Sequence, residues 1–192
     1  MKIVFATRNK HKLFEVSKIL PNYIEILNLD DINCEAEIPE TSDTIKGNAL
    51  QKANYVKDHF GADCFADDTG LEIDALGGAP GVYSARWAGK NCSYLDNVNK
   101  TLKELKGIKN RTARFKTVIA LNLNEKTYLF EGIIEGEITE HTLGVSGFGY
   151  DPIFRPEGYS ETFAEMALEI KNKISHRAIA VEKLVAFLSA ID

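Results

Sequence analysis

Phe65-Ala66-Asp67-Asp68-Thr69-Gly70 runs on into Leu71-Glu72-Ile73-Asp74-Ala75-Leu76-Gly77-Gly78-Ala79-Pro80-Gly81, and the rest of the chain is organised around it. Cys64, Phe65 and Ala66 read as the end of a buried strand, because an apolar run stops there at polar and Gly-rich residues. Adjacent residues on extended backbone point to opposite faces, so only one of Asp67 and Asp68 looks into a given cleft. Polar groups at strand ends are where α/β proteins commonly build sites. Taken alone, Asp-Asp-Thr-Gly reads more simply as an acidic turn that ends a strand. The stretches on either side supply what a carboxylate-held metal would need.

At 192 residues, 44% hydrophobic and 27% charged, the chain has the composition of one soluble globular domain with a real core. Its net charge of -5 argues against broad attraction to a nucleic-acid backbone or an anionic membrane. No apolar run approaches the roughly 20 residues of a membrane span, and the first residues carry no signal-peptide core. Cys34, Cys64 and Cys92 are widely spaced and form no CxxC pair. Neither a zinc site nor a disulfide framework is indicated, and the expected compartment is the reducing cytoplasm.

Outward toward the N-terminus, Lys2 to Ala6 reads as a buried strand, broken at Thr7-Arg8-Asn9. A helix follows from Lys10 to Leu20, with Leu13, Val16 and Leu20 on one face and Thr7 or Asn9 placed to cap it. A strand, a polar turn and a helix leave free N–H groups that attract anions. Arg8, Lys10, His11 and Lys12 crowd the same end, where cations oppose the helix dipole. A solvated basic patch and an anion site explain them equally well. Ile24 to Leu27 reads as a second strand, and residues 30 to 40 as irregular and acidic. Thr41, Ser42 or Asp43 is placed to cap a helix from Thr44 to Lys57, with Ile45, Ala49, Ala53 and Val56 buried. Gly47 within it has no local reason. Glu40 suits the helix start, and Lys52 sits on the polar face.

Toward the C-terminus, Asn91 or Ser93 starts a helix that ends near Leu105. Thr112 to Leu123 and Thr127 to Ile138 read as a hairpin turning at Asn124-Glu125-Lys126. In Gly144 to Phe154, Phe148 and Tyr150 between glycines either present ring faces to a planar base or face the core, and Asp151 can accept hydrogen bonds from a base edge. Ser175 is a good N-cap for a last helix carrying Val181, Leu184, Val185 and Leu188. His176 and Arg177 then fall at the unfavourable end of its dipole, where a polar or anionic ligand would rescue them. Alternating strands and helices with one long hairpin indicate an α/β domain with a mixed sheet.

Several stretches match one family together and in its order: Ala6-Thr7-Arg8-Asn9-Lys10-His11-Lys12, Ile38-Pro39-Glu40-Thr41, Asn48-Ala49-Leu50-Gln51-Lys52-Ala53, Ala66 to Leu71 with Ala75 to Arg86, Gly147-Phe148-Gly149-Tyr150-Asp151-Pro152-Ile153-Phe154 and Ser175-His176-Arg177. The sequence resembles the inosine triphosphate pyrophosphatase family, whose members remove non-standard purine nucleotides. The resemblance implies a single domain over residues 1–192. Its expected fold is an elongated, two-lobed mixed β-sheet flanked by helices, with the active site in the cleft between lobes. It further implies a homodimer and Mg²⁺-dependent hydrolysis of ITP, dITP and XTP to the monophosphate and pyrophosphate.

By the same resemblance, Thr7, Arg8, Asn9, Lys10, His11 and Lys12 cradle the triphosphate and Lys52 adds a phosphate contact. Glu40 and Asp68 hold Mg²⁺, Asp68 is the catalytic base, and Thr69 touches substrate. Phe148, Gly149, Tyr150 and Asp151 form a wall of the base pocket, completed by Lys171, His176 and Arg177. Two positions depart from the family pattern: Arg8, where glycine is common, and Gly47, where glutamate is common. The competing readings are a hydrolase of another modified nucleotide class and a nucleotide-binding regulator without turnover.

Overall fold

In the computed structural model, which describes residues 1–191, the two aspartates lie in the middle of a strand rather than at its end. This strand, β3 (Cys64–Ile73), continues because the apolar pattern resumes at Leu71 and Ile73. The polar residues between do not interrupt it, since Asp67 and Asp68 are themselves buried against charged partners. The expected sharp turn is deferred to Gly77, which ends a single 3-10 turn at φ 62°, a conformation that glycine adopts at little cost.

β1 (Lys2–Phe5) lies parallel to both β2 (Glu25–Leu27) and β3, with Lys2 opposite Glu25 and Phe5 opposite Phe65. The long strands β5 (Thr112–Leu123) and β6 (Lys126–Ile138) are joined through Asn124 and Glu125, both at positive φ, as a tight hairpin turn requires. β4 (Pro80–Gly81) is antiparallel to β3, and β7 (Phe154–Pro156) is antiparallel to β6. Among the described residues the order is β2-β1-β3-β5-β6-β7, with β4 beside β3, so the fold is the expected mixed α/β sheet with helices against it.

Contacts divide the chain into two compact units, and β3, β5 and β6 contribute residues to both. One unit comprises residues 1–68, 117–132 and the chain from His176 on. Its core sets Ile3, Phe5, Phe65, Ile119 and Leu121 of the sheet against Val16 of α1 (Lys10–Ile19) and Val181, Leu184 and Leu188 of α5 (His176–Ile191). The Phe5 and Phe65 rings stack at 4.4 Å. The other unit comprises residues 69–116 and 133–175. It buries Leu71, Ile73, Phe115, Ile138, Phe154 and Phe163 with Val98 of α3 (Tyr94–Glu104).

Helix starts follow local chemistry. Asn9 caps α1, accepting from the N–H groups of His11 and Lys12. Of Asn91 and Ser93, Ser93 caps α3, in a reciprocal pair with Asp96. α2 (Ile45–Phe60) is capped by Thr44 instead of Thr41, Ser42 or Asp43, because those three belong to a segment hydrogen-bonded along the helix side. Residues 144–154 do not pair as a hairpin; one turn of 3-10 helix, Asp151–Ile153, intervenes. A further helix, α4 (Leu168–Ile174), has no clear sequence signal. The Ser175 N–H closes it by donating to the Lys171 carbonyl, and α5 begins at the next residue.

Gly132 of β6 sets how closely α5 approaches. A Cβ there would fall 2.0 Å from the His176 carbonyl oxygen and 2.7 Å from the Ala180 nitrogen, both backbone atoms. Neither can swing aside. Gly132→Ala should therefore destabilise the protein by about 1–3 kcal/mol, as overpacking does, measured by urea denaturation. An unchanged midpoint would show that the helix seat yields.

Candidate active site

Extended backbone sends the two aspartates of β3 to opposite sides, each to its own set of cations. Asp67 is almost fully buried and accepts from Lys12 Nζ at 2.8 Å and from Arg177 Nε at 3.2 Å. Arg177 also donates from Nη1 to Glu15 at 2.5 Å. Burial alone would raise the Asp67 pKa, but Lys12 and Arg177 outweigh it and hold the carboxyl well below the usual range. Burial pushes the Lys12 ammonium down against the pull of Asp67.

Asp68 faces α2. Its Oδ1 lies 3.5 Å from Lys52 Nζ and its Oδ2 accepts from Asn48 Nδ2 at 3.4 Å. Lys52 also donates to Glu40, so one buried ammonium joins both carboxylates. Burial opposes the Lys52 charge, yet Asp68 and Glu40 hold its pKa above the ordinary lysine value. Burial raises the Asp68 pKa, and Lys52 and Lys12 only partly offset it. Lys52 is thus not the solvated lysine its polar helix face suggested.

At the first turn, Asn9 directs the start of α1 as expected, and the Thr7 hydroxyl accepts from the Asn9 N–H at 3.2 Å. Lys10 and His11 are exposed. Arg8 is directed to Asp30, at 2.9 Å, and to the Cys34 carbonyl, so its guanidinium supports the neighbouring loop. His176 and Arg177 are both buried in the first turn of α5. The rescue expected from a ligand comes, for Arg177, from Asp67 and Glu15 of the same protein.

Thr69 and the remaining candidates belong to the second unit. Gly147 and Gly149 have φ of 77° and 65°, and a Cβ on Gly147 would meet the Asp151 carboxylate at 2.1 Å. This loop lets Asp151 Oδ2 accept from the Phe148 N–H at 2.8 Å and from Lys171 Nζ at 2.6 Å. Lys171 Nζ lies 5.2 Å from the centre of the half-buried Phe148 ring, within cation–π range. Two of these candidates also make contacts within the protein. Tyr150 is a core residue, its ring packed in the second unit and its hydroxyl donating to the Ser84 carbonyl at 2.8 Å, so it offers no open face. Asp151 is buried and acts as an internal acceptor that anchors the loop.

Sequence reasoning missed three residues. Glu15 carried one signal, its i, i+3 spacing from Lys12, and Asp67 was visible as half of the Asp-Asp pair. Asn48 carried none beyond its place in a motif. No group of three or more His, Cys, Asp or Glu side chains suited to a metal occurs among the described residues. Glu40 and Asp68 nevertheless suit a hard cation by charge and donor type, and converge on the Lys52 ammonium. Two carboxylates alone leave most positions to water and a ligand's own oxygens, which is how Mg²⁺ is commonly held.

This is an α/β protein in which cations from α1, α2 and α5 meet two buried aspartates in the middle of β3. The Ham1 family model matches residues 3–187, and the chain belongs to that family. It is 60% identical to the dITP/XTP pyrophosphatase of Flavobacterium johnsoniae over 190 residues, 99% of each chain. The Ham1 protein of Staphylococcus aureus superposes with a TM-score of 0.91 at 36% identity, covering 100% of both chains. The nucleoside-triphosphatase / dITP/XTP pyrophosphatase of Mycobacterium abscessus gives 0.79 at 41% identity, over 96% of this chain and 99% of that one.

Proposed function

We propose that this protein is a nucleoside triphosphate pyrophosphatase that hydrolyses ITP, dITP and XTP to the monophosphate and pyrophosphate in the presence of Mg²⁺. Membership of a family whose relatives carry that name supports the reaction class. The observation that carries the chemistry is the Lys52 ammonium held jointly by Glu40 and Asp68.

A triphosphate brings several negative charges, and Lys12, Lys52 and the α1 start are the groups assigned to receive them. Glu40 and Asp68 would hold the metal. Mg²⁺ would supply neutralisation of the phosphate charge there. Asp68 orients a water for in-line attack on the α-phosphorus and accepts its proton. The new P–O bond forms as the bond to the β-phosphate oxygen breaks, and pyrophosphate leaves with the electron pair. Burial raises the Asp68 pKa above the ordinary carboxylate value, which favours its taking up a proton.

Base choice follows from donor inventory. Lysine can only donate, so Lys171, close to the Phe148 ring, suits the O6 acceptor of hypoxanthine and xanthine, whereas adenine offers an amino donor there. Buried donors left unmatched are strongly penalised. The working form is proposed to be a cytoplasmic homodimer, which sedimentation of the purified protein tests for assembly.

The decisive experiment measures pyrophosphate release from ITP, XTP, dITP, GTP and ATP, with Mg²⁺ and with EDTA. Fast release from the first three only with Mg²⁺, and far slower release from GTP and ATP, is expected. Binding without release from any of them would replace the enzyme by a regulator.

A further inference from the structure

Glu40 and Asp68 reach Lys52 from very different backbone. Asp68 is held in a paired strand, whereas Glu40 lies in an exposed, irregular segment ahead of α2. Something must fix that segment if the two carboxylates are to keep a set separation, and one face of α2 does so. Gln51 Oε1 accepts from the Thr41 N–H at 2.9 Å, and Gln51 Nε2 donates to the Thr41 hydroxyl at 3.0 Å. One turn earlier, Asn48 Oδ1 accepts from the Ser42 N–H at 2.9 Å. Gly47 lets the segment lie this close: a Cβ there would fall 1.8 Å from Ser42 Oγ and 2.6 Å from Ser42 Cβ. The missing side chain at Gly47 thus has a local reason after all.

Asn48 does more than stitch. A backbone N–H can only donate, so the Asn48 carbonyl must face Ser42 and its amide nitrogen must face Asp68 Oδ2, 3.4 Å away. Asn48 is almost fully buried, and its one side chain holds both the segment that carries Glu40 and the Asp68 carboxylate itself. We propose that Asn48, assisted by Gln51, is a positioning residue that sets the separation and orientation of Glu40 and Asp68 for a divalent cation. This rests on the reading that those two carboxylates hold the metal. Removing Asn48 leaves the segment to Gln51 and takes from Asp68 the donor on Oδ2, with Lys52 remaining on Oδ1.

The test is Mn²⁺ binding to the full-length, metal-free protein by EPR, with the apparent Mg²⁺ constant and kcat for ITP measured alongside. Asn48→Leu keeps the number of side-chain heavy atoms and removes both hydrogen bonds; it should weaken Mn²⁺ binding about 10-fold or more, the usual cost of losing a residue that orients a metal ligand. The apparent Mg²⁺ constant should rise by more than kcat falls, a split that a merely structural role would not produce. Gln51→Ala, at a half-buried helix position, should move the same constants in the same direction and less. A folded Asn48→Leu protein within about twofold of wild-type Mn²⁺ affinity, far short of that cost, overturns the proposal. If Asn48→Leu does not fold, unchanged constants in Gln51→Ala overturn it and weakened ones support it. Wild-type protein that binds Mn²⁺ yet hydrolyses no triphosphate would sink the enzyme reading, and the Mn²⁺ constants would still decide this one. Wild-type protein that binds no Mn²⁺ overturns this proposal, and pyrophosphate release then decides the enzyme reading by itself.

Discussion

Asp68→Asn abolishes ITP turnover, lowering kcat by about 10³-fold or more, while the protein stays folded and still binds ITP. Loss of a general base alone costs roughly 10²–10⁴-fold, and here one substitution removes the proton acceptor and half of the metal's carboxylate charge. Stability should change little, because the relief of burying the Asp68 charge opposes the loss of a compensating charge beside Lys52. Burial raises the folded-state pKa of Asp68, so its ionised form is disfavoured in the fold, and a neutral side chain of the same shape removes that penalty. Lys52 keeps its contact with Glu40. Single-turnover assays with excess enzyme, ITP titration by calorimetry in EDTA and a urea curve separate the three statements. Near-native kcat in the variant would end the assignment of Asp68.

The residue next to it should behave in the opposite way. Asp67→Asn removes the carboxylate that Lys12 and Arg177 share and leaves buried cations with less compensation. Breaking a buried ionic network from one side costs about 3–5 kcal/mol. The pH dependence has a definite sign. The Asp67 pKa is depressed by folding, so its contribution is fully present above the unfolded value of about 3.9 and is lost as pH falls from there toward the folded pKa. Urea denaturation of wild type and variant should therefore differ by the same amount at neutral and mildly acidic pH and converge in stronger acid. A gap that widens on acidification would show that Lys12 and Arg177 do not depend on Asp67.

Two adjacent aspartates with opposite consequences illustrate how much of this site could be read from the chain. Alternation along an extended strand separates their faces, and that was legible from Asp67-Asp68 alone. Which face is structural and which is chemical was not legible. That depends on Lys12 and Arg177, 55 and 110 residues away in the chain, arriving on one side, and on Lys52 and Asn48 arriving on the other. Tyr150 makes the same point. A tyrosine between glycines suits a base platform and a core position equally, and only the Ser84 carbonyl and the apolar residues around its ring decide for the core.

The sequence by itself determined what rests on local periodicity and local backbone chemistry. The β5–β6 hairpin, the buried faces of α1, α2 and α5, and a polar cap at either Thr7 or Asn9 and at either Asn91 or Ser93 follow from residues within one or two turns of each other. The family resemblance was legible because its motifs are short and keep their order. Tertiary structure alone decided the continuation of β3 through two charged residues, the pairing of Arg177 with Glu15, and the seat that Gly47 makes for Ser42. Each is a matter of burial. A charge or a missing side chain is tolerable only if a particular distant group lies beside it, and proximity of that kind has no period along the chain.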